Sequence, residues 1–249
     1  MEKGTRDVQM IGGRNAVIEA LRTGKTPDTV YIAEGELSGS IGKIKALARE
    51  SGAVVKTASR KKLDEMAPDI HHQGVLAMFA CAEYSTVEEI LAVSEQKGTP
   101  PFVIIADEIE DPHNLGAILR TAEAAGADGV IIPKRRSASL NATVYKTSAG
   151  AASVVKVARV PNLVACIKEL KERNIWVYGA DMDGNSFDQT DLRGAVALVI
   201  GSEGRGMSRL VKEACDFIVS LPMHGQINSL NASVAAGILM YEVVRQRNA

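Results

Sequence analysis

The chain has 249 residues, 46% of them apolar and 24% charged, with a formal net charge of −1. That composition is too apolar for a disordered chain and ordinary for a globular enzyme. The longest apolar run, Val75–Ala82, falls far short of the ~18 residues of a membrane span, and no apolar signal core follows Met1, so no membrane or secreted class is expected.

In the first 80 residues, helical periodicity at Arg14–Leu21, Ile41–Glu50 and Ser59–Met66 alternates with strand patterns at Val30–Ala33, Val54–Thr57 and Val75–Ala80. Glu83–Pro101 is acidic, shows no buried pattern and ends in Gly98-Thr99-Pro100-Pro101, so it reads as a connection. The expected division is therefore 1–80, a linker over 81–100, and a larger domain over 101–249. In that domain, strands are expected at Phe102–Ala106, Gly129–Ile132, Ser153–Val157, Ile175–Ala180, Ala195–Ile200 and Phe217–Leu221. Helices are expected at Leu115–Ala125, Asn162–Arg173, Ser208–Ala214 and Leu230–Arg247. Such alternation indicates an α/β fold with a parallel sheet, whose ligands bind beyond the C-terminal ends of strands.

Charge and cysteine usage narrow the class further. Residues 1–80 carry 12 Lys+Arg against 10 Asp+Glu, residues 81–100 one against four, and residues 101–249 sixteen of each. No domain has the strongly basic balance usual for nucleic-acid binding. The local clusters Arg60-Lys61-Lys62, Lys134-Arg135-Arg136 and Arg205 with Arg209 and Lys212 each read, taken alone, as solvated surface. Cys81, Cys166 and Cys215 form neither a disulfide framework nor a Cys-x-x-Cys pair, which suits a reducing cytoplasm.

Three loops follow strands and open helices. In the first, Asp107–Gly116 leads to Arg120; Asn114 is placed to cap the helix, and Arg120 to bind an anion or a carboxylate. The second, Gly201-Ser202-Glu203-Gly204-Arg205-Gly206, lets a backbone approach a ligand closely. Its G-x-x-G-x-G spacing fits neither the dinucleotide fingerprint nor a phosphate loop. The third, Leu221–Ser233, is dense in amides and hydroxyls; a cap explains one of Asn228 or Ser229, but not the cluster. The small residues that follow suggest close packing, within the domain or between subunits. His71 and His72 are adjacent, and His113 and His224 lack the neighbours of a zinc site, so a metal-free transferase is expected.

These three segments, at Asp107–Thr121, Leu198–Met207 and Leu221–Asn231, resemble in order and spacing the motifs of the SpoU-type (TrmH-like) branch of the SPOUT superfamily. The likeness extends through Pro133–Thr143 and Ile175–Val177, and His72-Gln73-Gly74-Val75 resembles the end of that family's N-terminal RNA-binding domain. Within the family, the chain is most similar to the enzymes that methylate a guanosine of large-subunit ribosomal RNA. The resemblance implies an S-adenosylmethionine-dependent RNA ribose 2′-O-methyltransferase that works as a cytoplasmic homodimer. It also implies a parallel sheet closed by a C-terminal trefoil knot, with a small N-terminal α/β domain that presents RNA.

Carried over by position, the resemblance implies that Gly201, Leu221 and Leu230 line the cofactor pocket. Asn114, Arg120, Glu203, Ser229 and Asn231 fall at positions associated with catalysis or site assembly. A guanidinium resists deprotonation, so a bidentate hold on an RNA phosphate suits Arg120 better than the role of base. Ser229 is then placed for the phosphate or ribose, Asn231 for orienting the loop, and Glu203 for an arginine or the sulfonium. Arg14, Arg60, Lys61 and Lys62 are candidate RNA contacts. Ribosomal RNA or a ribosome precursor is the expected partner, with tRNA the alternative. A nucleotide-dependent oxidoreductase and a non-catalytic RNA-binding assembly factor are the competing readings.

Overall fold

The computed structural model describes residues 10–23, 26–36, 39–79, 83–226 and 229–249; Cys81 and Asn228 lie outside them. The chain divides into two compact units, Met1–Ala82 and Glu83–Ala249. Among the described residues, no helix is long and apolar enough to cross a membrane.

The first unit runs β1 (Met10–Gly12), α1 (Arg14–Arg22), β2 (Thr29–Ala33), α2 (Gly39–Glu50), β3 (Val54–Ala58), α3 (Arg60–Met66) and β4 (Val75–Met78). Its sheet has the order β1-β4-β2-β3, with β2 and β3 parallel and β4 antiparallel to both neighbours. Val17, Ala20 and Leu21, at helical spacing, turn one face of α1 toward a core shared with Ile41 and Ile44 of α2. Helix α3 starts where the Ser59 side chain accepts a hydrogen bond from the Lys62 amide at 3.3 Å.

The second unit begins with α4 (Val87–Lys97), where the sequence suggested only a connection. Thr86 and Glu89 close a capping box, and the left-handed Gly98 ends the helix. Ile90 and Leu91 are buried in the core of this unit. Lys97 donates to Asp128 Oδ1 at 3.0 Å, while Asp128 Oδ2 accepts from the Phe102 amide at 2.7 Å. The prolines come after the helix and mask a short amphipathic pattern.

There follow β5 (Phe102–Ala106), α5 (Pro112–Ala124), β6 (Gly129–Pro133), α6 (Ala142–Thr147), β7 (Lys156–Val160) and α7 (Leu163–Glu172). Then come β8 (Trp176–Ser186), β9 (Val196–Ile200), α8 (Arg209–Ala214), β10 (Phe217–Ser220) and α9 (Ala232–Arg247). The six strands form a parallel sheet of order β10-β8-β9-β5-β6-β7. Its central strands β5 and β9 are buried along their whole length, as expected for a parallel sheet covered on both faces.

Three local expectations change. The strand expected at Ser153–Val157 lies at Lys156–Val160, because Ala151–Ser153 forms a 3-10 turn after the left-handed Gly150. Helix α6 had no long periodic pattern; it is started by Asn141, whose side chain accepts from the Val144 amide at 3.0 Å. It packs so closely on α5 that a Cβ at Gly116 would overlap the Thr147 side chain. Strand β8 runs on to Ser186 with a break in register: Gly179 pairs with Ile218, but Asn185 pairs with the next residue, Val219. Residues 180–184 therefore bulge beyond the last pair of β8 with β9, Gly179 with Val199.

Candidate active site

Asp107, Gly201 and Leu221 each follow directly, or within one residue, the last residue of β5, β9 and β10. Those strands lie near one another in the sheet, so the three sequence motifs converge beyond its C-terminal edge. There the chain surrounds a cavity of about 270 Å³ lined by residues of the glycine loop, the Leu221 loop and the β8 bulge. Gly201, Leu221, Leu230 and Ser229 all line it.

The glycine loop is a closed turn. Ser202 and Gly206 exchange both backbone hydrogen bonds, at 3.0 and 2.9 Å. A Cβ at Gly201 would overlap the Gly206 carbonyl carbon and the Met207 nitrogen, so only glycine fits beneath the turn. Gly204 and Gly206 supply the left-handed backbone, with φ of 79° and 67°. This turn projects Glu203 toward α9.

Glu203 Oε1 accepts from Asn114 Nδ2 at 2.8 Å, from Asn231 Nδ2, and from the Ala232 amide at 3.4 Å. Asn231 Nδ2 also donates to Asn114 Oδ1 at 2.9 Å. Asn231 is the N-cap of α9, accepting from the Ser233 and Val234 amides. The carboxylate thus sits at the positive end of the longest helix, where the helix dipole favours it. The cap expected from Asn228 or Ser229 belongs instead to Asn231. Likewise Asn114 does not cap α5: Asp111 does, accepting from the His113 amide at 2.8 Å with Pro112 in the first turn. That leaves the Asn114 side chain for Glu203.

Asp107, which the sequence reading passed over, is buried, and its Oδ2 accepts from the Ser208 amide at 2.7 Å and the Ser208 hydroxyl at 2.8 Å. It ties the end of β5 to the start of α8. A buried polar contact between two loops leaves no periodic trace in a sequence.

A SpoU rRNA methylase family model matches residues 101–241. The chain belongs to this family. A second model, for the substrate-binding part of RNA 2′-O ribose methyltransferases, matches residues 10–85. The YacO protein of Bacillus subtilis, named a TrmH family tRNA/rRNA methyltransferase, is 49% identical over 95% of each chain. The AviRb SpoU methyltransferase of Streptomyces viridochromogenes, solved with its cofactor AdoMet, shares the fold with a TM-score of 0.61 at 24% identity, over 96% of this chain and 90% of that one. A TrmH/SpoU tRNA modifying enzyme of A. aeolicus has a TM-score of 0.54 at 30% identity, over 60% of this chain and 76% of that one. The SpoU family is S-adenosylmethionine-dependent, and membership makes this chain a methyltransferase.

Among the family positions carried over, Arg120 stands apart. It lies on the exposed side of α5, is not part of the cavity wall, and makes no hydrogen bond or ion pair among the described residues. In the first unit, Arg14 and Arg60 share Glu36, at 2.5 and 3.5 Å. Lys61 lies 4.0 Å from Glu65 at the surface, and Lys62 is exposed. Nearby, His72 is buried, with Nδ1 accepting from the Gly74 amide and Nε2 2.9 Å from Asp64. An imidazole with one nitrogen accepting and the other facing a carboxylate serves to hold the loop before β4.

Proposed function

We propose that this chain transfers the methyl group of S-adenosylmethionine to a ribose 2′-hydroxyl in RNA, with a guanosine of large-subunit (23S) ribosomal RNA as target. The observation that carries the reading is a cavity walled by the glycine loop and the Leu221 loop, to which the first loop is tied by the hydrogen bond of Asn114 to Glu203. Ile200, Val219, Leu221 and Leu230 offer apolar walls to a flat base, and the bare backbone at Gly201 allows the close approach a nucleoside needs. The residues present therefore fit the cofactor.

When bound, S-adenosylmethionine supplies a methyl group already activated on a sulfonium, which needs no Lewis acid. The protein's task is alignment, which contributes up to about 7–11 kcal/mol in well-oriented reactions. Gly201, Leu221 and Leu230 hold the donor side. Ser229, exposed on the cavity wall, donates to or accepts from the ribose or its phosphate. Arg120, with a free planar fork, grips a backbone phosphate. Glu203, held by two amides and a helix N-terminus, fixes the relative position of the loops.

The first unit presents folded RNA through the exposed Arg60, Lys61 and Lys62, while Arg14 braces Glu36 beside them. The chain acts as a homodimer, a reading supported by the exposed Val234, Ile238 and Tyr241 along α9, and works in the cytoplasm, a reading that the free Cys166 and Cys215 suit. The C-terminal crossings form a trefoil knot, a reading supported by the tight backbone packing at Gly184 and Gly201. Transfer to tRNA is the second reading, since the similar relatives are named for both RNAs. Tritium transfer from labelled S-adenosylmethionine to purified ribosomal RNA and tRNA tests the choice. Label in large-subunit RNA supports the first, and label in tRNA alone the second.

A further inference from the structure

The bulge of β8 carries a residue that the family motifs do not include. Between the paired Gly179 and Asn185, residues 180–184 leave the sheet, and Ala180, Asp181 and Met182 turn onto the cavity wall. A bulge is a common device for re-aiming a side chain at a site. Here its far end is fixed against β10: the Ser220 hydroxyl donates to the Gly184 carbonyl at 2.9 Å, and Gly184 lies against the Ile218 backbone with no room for a Cβ.

The Asp181 carboxylate is oriented rather than free. Lys212 of α8 sits 3.0 Å from Oδ1, and the Asp183 amide donates to the same oxygen at 3.4 Å. Its Oδ2 faces Gly206 of the glycine loop and accepts no hydrogen bond among the described residues. The side chain is only 16% exposed. One carboxylate oxygen is thus anchored, and the other lies beside Gly206 of the cavity wall with its acceptor capacity unused.

We propose that Asp181 Oδ2 accepts a hydrogen bond from a ribose hydroxyl of the cofactor nucleoside, making Asp181 a cofactor-binding residue held in place by Lys212. A carboxylate suits this role because hydroxyls donate to it strongly, as the nucleotide ribose does to an acidic residue in other α/β folds. The proposal rests on the assignment of this cavity to S-adenosylmethionine.

Calorimetry on the full chain tests it, with S-adenosylhomocysteine and methylthioadenosine as probes. Methylthioadenosine keeps the ribose but lacks the amino-acid part. Asp181→Asn should weaken both ligands by a similar factor, roughly ten- to a hundredfold for a hydrogen bond to a charged group. Lys212→Met removes the ion pair but keeps the carboxylate and its Asp183 amide contact, so it should lose some affinity, but several-fold less than Asp181→Asn. Full affinity in a folded Asp181→Asn chain would overturn the proposal. So would equal losses in the two variants, which would make the pair merely structural. So would a loss confined to S-adenosylhomocysteine, which would place Asp181 at the amino-acid end. Failure of the unaltered chain to bind either probe would instead overturn the cofactor assignment of the cavity, and the proposal with it.

Discussion

Asn114 and Asn231, separated by 117 positions, are joined directly: Asn231 Nδ2 donates to Asn114 Oδ1 at 2.9 Å. Both amides also donate to Glu203 Oε1, so residues from all three motif loops share one knot of hydrogen bonds. Asn231 has two separable duties in it, since its oxygen caps α9 and its nitrogen reaches the other loops.

Those duties can be pulled apart by substitution. Asn231→Ala loses the cap and should cost about 1 kcal/mol of stability, as well as activity. Asn231→Ser keeps a capping oxygen but loses the amide donor, with no new charge beside Glu203. It should stay near the parent in thermal stability while single-turnover methylation falls. Equal activity for Asn231→Ser and the parent would count against the linking role.

Arg120 and Gly201 should fail in different ways. Arg120→Ala is expected to cripple methyl transfer with almost unchanged S-adenosylmethionine affinity, because Arg120 stands off the cavity wall. Arg120→Lys keeps the charge without the planar fork and should recover only part of the activity. Gly201→Val places a branched side chain against the Gly206 and Met207 backbone, so cofactor binding itself should be lost. Calorimetry beside single-turnover assays separates these outcomes. Loss of cofactor binding in a folded Arg120→Ala chain would reverse the assignment.

The start of the second unit sets where the chain can be cut. A fragment over residues 83–249 should fold and bind S-adenosylmethionine, and should methylate full-length RNA poorly without the first unit. A fragment over residues 101–249 removes the buried Ile90 and Leu91, each worth about 1.5–3 kcal/mol of burial. It should therefore melt well below the longer fragment. Identical melting curves would contradict the packing of α4.

Cys166 and Cys215 should be inert. Burial pushes each thiol up to about 12, so almost no thiolate forms at neutral pH. Native alkylation at pH 8 followed by peptide mapping should leave both unmodified, with full labelling after denaturation. Rapid labelling of either in the native chain would refute the burial.

The repeating part of the fold was legible in the sequence because buried strands such as Phe102–Ala106 and Val196–Ile200 read as continuous apolar runs. Helix α4 was not, since its two buried apolar residues sit among glutamates and ahead of Pro100-Pro101. The glycine loop was legible because three glycines at that spacing have few other uses. The partners of Glu203 could be named only by resemblance, since hydrogen bonds across 28 and 89 positions leave no local signal. Asp181 was invisible for a related reason. It follows an ordinary strand pattern, and only the register break against β10 turns it toward the cavity.

The most direct measurement is a map of alkali-resistant linkages in RNA. Ribosomal RNA from cells lacking the chain would be incubated with the purified protein and S-adenosylmethionine, then hydrolysed in alkali and sequenced. A 2′-O-methyl group blocks cleavage at its own linkage, so the account expects one new protected site at a guanosine of the large-subunit RNA, absent with Arg120→Ala. Methyl incorporation that leaves every linkage alkali-labile would place the group on a base and contradict ribose transfer.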